Sequence, residues 1–234
     1  LASRFREAKF SVKAIHRLIM ESTAYRRSSR FDESAVAIDP NARLLWRFNL
    51  RRLSAEEIRD SILFVSGELD LSFGGAHPFP AEGSWGSFSQ HAPFYGLYPS
   101  NRRSLFLMQQ RLKRHPFLAL FDGADPNVST PRRELTTVPT QSLYLMNSEF
   151  VHRQSAALAK RVLERSASLY ESLQRSWWLT LGRAASGRER AEAERFLLAY
   201  SESLGEAGGG RRHPAAWAAL MRTLLTRNEF LFVD

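Results

Sequence analysis

Residues 54–67, SAEEIRDSILFVSG, predict the best-defined helix of the chain and set the pattern of the fold. Ser54 and Glu57 have the spacing of a capping box, in which the serine oxygen accepts from the N3 amide and the glutamate reaches back to the cap amide. The apolar residues of one face follow at helical spacing, at Ile58, Ile62 and Val65. Gly67 is suited to ending the helix, because glycine adopts a left-handed conformation easily. The stretch therefore predicts a helix with one buried face.

Similar signals recur on both sides of this stretch and predict a mainly α-helical protein, an irregular bundle. Ser11 and Ser148 each precede an apolar helical pattern, Ser186 and Glu189 form a second capping box, and Pro214 opens a last helix. Asp39-Pro40 has the order of an N-cap followed by a first-turn proline, which predicts a helix over 40–50 with inward-facing Leu44, Leu45 and Phe48. Residues 104–108 are the candidate strand, so we expect at most a short strand or hairpin.

Two segments interrupt the helical pattern. Residues 74–101 contain four prolines, five glycines and six aromatic residues, which predicts a long irregular loop insertion packed by its own rings. Residues 205–212, GEAGGGRR, predict an internal flexible connector. We find no internal repeat and expect residues 1–234 to form a single helical domain.

The chain carries a net charge of +9, unevenly distributed. Residues 1–30 contain 8 basic and 2 acidic side chains, and residues 100–133 contain 7 and 2. Arginine provides all but 4 of the 33 basic residues, and its planar fork suits carboxylates and phosphates. The excess predicts either a polyanionic partner or extensive internal pairing with acidic residues.

A candidate binding surface combines rings of the irregular loop with the basic residues after it. Exposed rings beside cations suit sugars, polyanions or another protein domain. The surface comprises Trp85, Phe88, Phe94, Tyr95, Tyr98, Arg102, Arg103, Arg111, Lys113 and Arg114. If the rings proved buried against the helices, the loop would be core filler.

Acidic pairs close to arginines favour a structural ion-pair network over proton transfer, because charge-paired carboxylates hold their protons less tightly. The expected network comprises Arg51, Arg52, Glu57, Arg59, Asp60, Asp122, Asp125 and Arg133. The stretch 121–150 then predicts a joint between helices, with Gln141 and Asn147 buried and Leu143, Leu145 and Met146 in the core. In the alternative, an enzyme, Asp122, Asp125, Arg103 and Arg133 would surround a pocket.

Several kinds of site lack sequence support. The chain has no cysteine, which excludes disulfides, thiolate metal ligands and a thiol nucleophile within it. Its six histidines show no metal-binding pair spacing, and it has no P-loop, no GxGxxG and no GxSxG. We therefore expect neither a metal nor a cofactor in this chain. Its apolar runs are also too short for a transmembrane helix.

The order of several blocks resembles the planctomycete-type PSD-one domain, the domain of unknown function numbered 1553. The blocks are SVKAIHRLIMESTAYRRSS (11–29), RRLSAEEIRDSILFVSGELD (51–70), RRSLFL (102–107), FDGADPN (121–127), TTVPTQSLYLMNSEFV (136–151), LGR (181–183) and NEFLFVD (228–234). The resemblance implies that this chain is the C-terminal portion of a larger domain. It departs from the family at Ala184-Ala185, where a proline is expected soon after LGR.

The resemblance implies a cellular context and no catalytic residues. Such domains close large exported proteins, so it implies a periplasmic, cell-envelope or extracellular location and a c-type haem in a neighbouring domain of the parent. We therefore expect a non-catalytic structural or interaction module whose partners are other domains of that parent, or a polysaccharide or other polyanion. The alternatives are a redox-associated enzyme acting on polysaccharide and a basic nucleic-acid-binding module. Nucleic acid is the least favoured partner, given an exported address.

Overall fold

The computed structural model describes residues 1–73, 75, 82–205 and 212–233. The protein is 54% helical, which confirms the mainly α-helical prediction. The described residues form α1 (Ala2–Glu7), α2 (Val12–Met20), α3 (Glu33–Ile38), α4 (Ala55–Ser66), α5 (Pro116–Leu120), α6 (Pro139–Asn147), α7 (Glu149–Glu164), α8 (Leu169–Leu181), α9 (Gly187–Ser203), α10 (Pro214–Leu225) and α11 (Asn228–Leu231). Two short 3-10 helices span Glu82–Ser87 and Ser104–Phe106. None of the helices in these ranges combines the length and the apolar character needed to cross a membrane.

The chain divides into two compact units. The smaller unit comprises Leu1–Arg52 and Phe232–Asp234, and the larger one comprises Leu53–Leu231. In the smaller unit, strands β1 (Arg51–Arg52) and β2 (Phe232–Val233) pair antiparallel. The expectation of a single helical domain stays a prediction. Residues 74, 76–81 and 206–211, which belong to the predicted loop and the predicted connector, lie outside the described residues.

The core of the larger unit is built around α7 and α10, which pack extensively against each other. Leu158 and Val162 of α7 and Trp217 of α10 are fully buried in it. Helix α4 packs on α7 and contributes Ile58 and Ile62 to the same core. Burial of these large side chains is the main favourable term in folding this unit.

The predicted caps of α4 are confirmed. The Oγ of Ser54 accepts from the Glu57 amide at 3.4 Å, and Oε2 of Glu57 accepts from the Ser54 amide at 2.7 Å. Gly67 ends the helix with φ of 87°, in the left-handed region that glycine favours. The second capping box, of Ser186 and Glu189, is also formed. Four of the orphan amides at the helix starts are thereby satisfied within the chain.

The helix predicted over 40–50 is wrong. Helix α3 ends at Ile38, and the side chain of Asp39 accepts from the Leu44 amide at 2.7 Å instead of capping a helix. Ala42 and Leu45 have φ of 50° and 59°, so the segment is a series of turns. Leu44 and Leu45 are exposed, and Phe48 is half-buried. An aspartate side chain can serve a turn as well as a helix, and here the turn prevails.

The strand predicted over 104–108 is also wrong. Both the amide and the hydroxyl of Ser104 donate to Oδ1 of Asp60, at 2.8 and 2.7 Å, and the chain forms a 3-10 turn there. The only regular strand pair among the described residues is β1 with β2. A long-range contact to α4 therefore overrides the local β propensity.

The predicted joint over 121–150 is confirmed at one buried amide and wrong at another. Gln141 is buried, and its Nε2 donates to the Leu120 carbonyl at 2.9 Å. Asn147 is exposed and donates instead to the Leu143 carbonyl of its own helix. Of the apolar residues expected in the core, Leu145 is buried, whereas Leu143 and Met146 are exposed.

Replacing Ser54 by alanine should lower the free energy of unfolding by about 1 kcal/mol, because the Glu57 amide loses its side-chain acceptor. Ser54→Thr should retain most of that free energy, since threonine is also a good N-cap residue. Urea unfolding followed by circular dichroism measures both variants. Equal losses for alanine and threonine would contradict a capping role for the hydroxyl.

Candidate functional site

The larger unit contains an open cavity of about 1070 Å³ beside α4, which we name the α4 groove. One face of α4 forms one wall, and segments 103–109 and 124–133, the end of α8 and Phe230 form the rest. The lining residues are Leu53, Ser54, Glu56, Glu57, Asp60, Ser61, Phe64, Val65, Leu69, Leu71, Arg103, Ser104, Leu105, Gln109, Leu118, Ala124, Pro126, Arg133, Leu179, Thr180 and Phe230. Its volume is large enough for several side chains of a partner.

The three carboxylates of the α4 groove already have partners in the chain. Glu57 holds the cap amide of its own helix at 2.7 Å. Oε2 of Glu56 lies 2.6 Å from Nη1 of Arg133, and Oδ1 of Asp60 accepts twice from Ser104. The charged edge is therefore held in place before any ligand arrives.

Arg59 fixes the loop that forms the far wall of the groove. Its side chain is only 4% exposed, and its guanidinium donates to the carbonyls of Arg102, at 2.8 Å, and of Ser100. It also donates to Oγ of Ser104 at 3.2 Å and lies 3.5 Å from Oδ1 of Asp60. Burial lowers the pKa of Arg59, and the neighbouring Asp60 carboxylate opposes that shift. The loop is thus anchored to α4 by a buried cation with several acceptors.

Asp122 and Asp125, the acidic residues of the enzyme alternative, serve turns next to the groove and do not line it. Asp122 has φ of 63° and accepts from the Thr136 amide at 2.9 Å. Asp125 accepts from the Asn127 amide at 2.9 Å and lies 3.7 Å from Arg114. The hydrogen bond from the Asn127 amide lowers the pKa of Asp125; desolvation opposes this shift, and the Asn127 side chain and the Arg114 cation add to it. Arg103 and Arg133, by contrast, do line the groove.

The expected ion-pair residues are spread over separate contacts. Arg59 pairs with Asp60, and Arg133 pairs with Glu56, which the sequence analysis did not select. Arg51 and Arg52 form β1 in the smaller unit, where Arg52 is buried. The sequence shows Glu56 as an acidic residue in the first turn of α4. It does not show that Glu56 pairs with Arg133, because the two residues are 77 positions apart.

The rim of the α4 groove is apolar and open to solvent. Phe64, Leu71 and Leu105 are all exposed, Leu105 to 75%. Val65 and Leu118 form a buried floor beneath them. Exposed apolar side chains grouped around a concave surface are typical of binding sites.

The predicted aromatic surface is partly packed on itself. Phe94 lies between Phe88 and Tyr98, with ring centroids 5.3 and 6.1 Å away. Trp85 and Tyr95 are exposed. Phe88, at the edge of the cluster, is exposed too. The described part of the loop therefore combines an internal ring cluster with three solvent-exposed rings.

The predicted basic strip is divided between paired and exposed cations. Arg114 donates to the Gly123 carbonyl at 2.7 Å, and Nε of Arg102 lies 3.6 Å from Asp70. Arg103, Arg111 and Lys113 are exposed. The whole strip remains a predicted binding surface.

A dense charge cluster of the described residues, around Arg183, was not predicted from the sequence. The guanidinium of Arg183 donates to Glu189 at 2.7 and 2.9 Å and to Glu229 at 2.5 and 2.9 Å. Arg227 lies 3.4 Å from Glu189 and closes the cluster. Hydrogen bonds from Arg183, supported by those from Ser186, lower the pKa of Glu189 well below its ordinary value. Only the capping role of Glu189 was visible in the sequence, because Glu229 is 46 residues from Arg183.

In a comparison with protein-family models, residues 1–197 match the model of the family PSD1, described as a protein of unknown function (DUF1553). Searches of the curated proteins and of the solved structures gave no match. In the described ranges, no group of three or more histidine, aspartate or glutamate side chains is arranged to hold a metal ion.

Replacing Arg59 by methionine should lower the free energy of unfolding by about 3 kcal/mol, because the Ser100 and Arg102 carbonyls lose a charged donor. Urea unfolding measures the loss, and amide hydrogen exchange at Ser104 shows whether the loop detaches. Arg103→Met is the matched control, since its side chain is exposed in the same loop. Equal losses for the two variants would contradict the anchoring role.

The cluster around Glu189 should give the protein an acid-sensitive stability. Because the folded-state pKa of Glu189 is lowered, its contribution is fully present above the ordinary glutamate pKa of 4.5 and is lost as pH falls below it. The difference in unfolding free energy between the unmodified protein and Glu189→Gln should therefore be constant near neutral pH and shrink under acid. Urea unfolding across pH measures this difference.

Glu202→Gln, on the same helix, controls for the loss of one negative charge. A difference between the unmodified protein and Glu189→Gln that does not change with pH would contradict the stabilising role of the cluster.

Proposed function

Because this chain belongs to the PSD1 family of proteins of unknown function (DUF1553), we propose its function from its geometry: it is a non-catalytic interaction module. The α4 groove holds an apolar segment of a partner polypeptide. The observation that supports the proposal is the exposed apolar rim of Phe64, Leu71 and Leu105 around a cavity whose carboxylates are already paired.

The apolar lining supports a polypeptide as the ligand. Most of its large apolar side chains are aliphatic, and among the described residues Phe64 and Phe230 are the aromatic ones. Sugars are usually bound by stacking on several aromatic rings, whereas aliphatic grooves receive the apolar face of a helix or strand. The groove therefore suits leucine-like or phenylalanine-like anchors of a partner segment.

The charged edge supports binding over proton transfer. A general acid or base must exchange a proton with the substrate, but Glu57 is occupied at the helix cap and Asp60 is occupied by Ser104. The Glu56–Arg133 pair offers hydrogen-bonding atoms at the rim, which can orient the backbone of a bound segment.

The partner in this proposal is another domain of the same parent protein. The resemblance found in the sequence supports an exported, cell-envelope parent with a c-type haem in a neighbouring domain. A groove that receives a segment of a neighbouring domain would join the two without chemistry of its own.

Selection of a displayed random-peptide library on the full chain tests the proposal. The selected peptides should share apolar residues at helical or strand spacing, and their affinity for Leu105→Asp should fall by about tenfold or more, since a charge would enter the apolar rim. Isothermal titration calorimetry with one synthetic selected peptide measures the affinity.

Tyr170→Asp is the control, because Tyr170 is an exposed ring outside the groove lining. Circular dichroism confirms that both variants fold, which is expected at exposed positions. Peptides that bind Leu105→Asp as tightly as the unmodified protein, or a selection without apolar anchors, would exclude the groove as the binding site.

A further inference from the structure

The first two helices carry apolar side chains that nothing in the described chain buries. Neither α1 nor α2 contains a buried residue. Phe10 and Val12 are 67% and 56% exposed, and Met20 is exposed as well. Phe5 of α1 and Phe10 of the link between the two helices pack edge to face, with ring centroids 5.4 Å apart.

Helix α2 is amphipathic in a well-defined way. Val12, Ile15 and Ile19 lie at positions i, i+3 and i+7 and therefore share one face. Lys13 and Arg17 lie four residues apart and share another face. Ser11 caps the helix by accepting from the Ala14 amide at 3.3 Å, so the helix is defined by its own sequence.

The cations of this region are largely uncompensated. Residues 1–20 contain five basic side chains and one acidic one. That acidic side chain, Glu7, lies 3.3 Å from Arg4. Among the described residues, Lys13 and Arg17 form no ion pair. They also repel each other, because like charges at positions i and i+4 of a helix are neighbours. Ile15 and Ile19 are half-buried, whereas Val12 and Met20 are exposed. Two unpaired cations beside these exposed apolar side chains suit an anionic partner that also accepts apolar groups.

We propose that α1 and α2 form an interfacial helix pair that binds the surface of an anionic lipid bilayer. Such a surface accepts both halves of the pattern, because apolar side chains enter the boundary below the headgroups and cations contact the lipid phosphates and carboxylates. The long stems of Lys13 and Arg17 can reach the headgroups while Val12 and Met20 enter the apolar layer. A nucleic acid would satisfy only the cations and leave Phe10 and Met20 in water.

Co-sedimentation of the full chain with lipid vesicles tests the proposal. The protein should sediment with vesicles of phosphatidylcholine mixed with phosphatidylserine, remain in solution with phosphatidylcholine alone, and lose binding as salt is raised. The double variant Lys13→Gln with Arg17→Gln should bind about 30-fold more weakly, because two cations are lost at the anionic surface. Val12→Gln with Met20→Gln should bind about tenfold more weakly, because apolar burial is lost.

Lys160→Gln is the control, since Lys160 is an exposed cation on α7 in the larger unit, and it should bind as the unmodified protein does. Equal sedimentation with both kinds of vesicle, or equal weakening by the control, would overturn the proposal. So would equal affinity for a mixed-sequence DNA duplex, which would show that charge alone decides binding. A dimer in analytical ultracentrifugation that Val12→Gln with Met20→Gln dissociates, without vesicle binding, would instead assign this face to contact between two copies.

Discussion

The guanidinium of Arg59 is removed from water so that a loop without regular structure can lie against the helical core. It supplies donors to the carbonyls of Ser100 and Arg102 in this loop. Asp60, the next residue of α4, holds the Ser104 amide and partly balances the buried charge. Removing a charge from water is costly unless it is well bonded, and this pair of neighbours meets that condition. The position of the loop, and with it the far wall of the α4 groove, follows from this contact.

The carboxylates of the α4 groove are also engaged within the chain, and this explains why the groove is suited to binding. Glu57 is used by the start of α4, Glu56 by Arg133 and Asp60 by the loop. Charged side chains therefore fix the walls, while aliphatic side chains such as Leu105 provide the surface that a partner can cover. In the smaller unit the balance is the opposite, because the cations of α2 lack acidic partners and its apolar residues lack a core. The two surfaces thus differ in the chemistry of the partner that each can accept.

Local structure that depends on residues a few positions apart was predictable from the sequence, whereas structure decided by distant contacts was not. The capping box at Ser54 and the end of α4 at Gly67 were predicted, since each involves neighbouring residues. The Asp39 side chain satisfies a turn amide five residues away, a choice that local pattern cannot separate from helix capping. The prediction of a strand at Ser104 was wrong because the hydrogen bond from its amide to Asp60 joins residues 44 positions apart, which local sequence patterns do not reveal. For the groove, only its arginines Arg103 and Arg133 and some of its carboxylates could be named, and not the cavity itself.

By itself, then, the sequence determined where the capped helices α2, α4, α7 and α9 begin, and that the basic residues are unevenly distributed along the chain. Those properties depend on hydrogen bonds and side-chain spacing within about one helical turn. Only the tertiary structure decided which charges meet, as in the bond of Arg183 to Glu229 across 46 residues, and which apolar residues remain outside the core. The physical reason is that two residues far apart in the sequence interact only after the chain has folded and brought them together. The spacing of residues along the sequence does not specify which distant residues will meet.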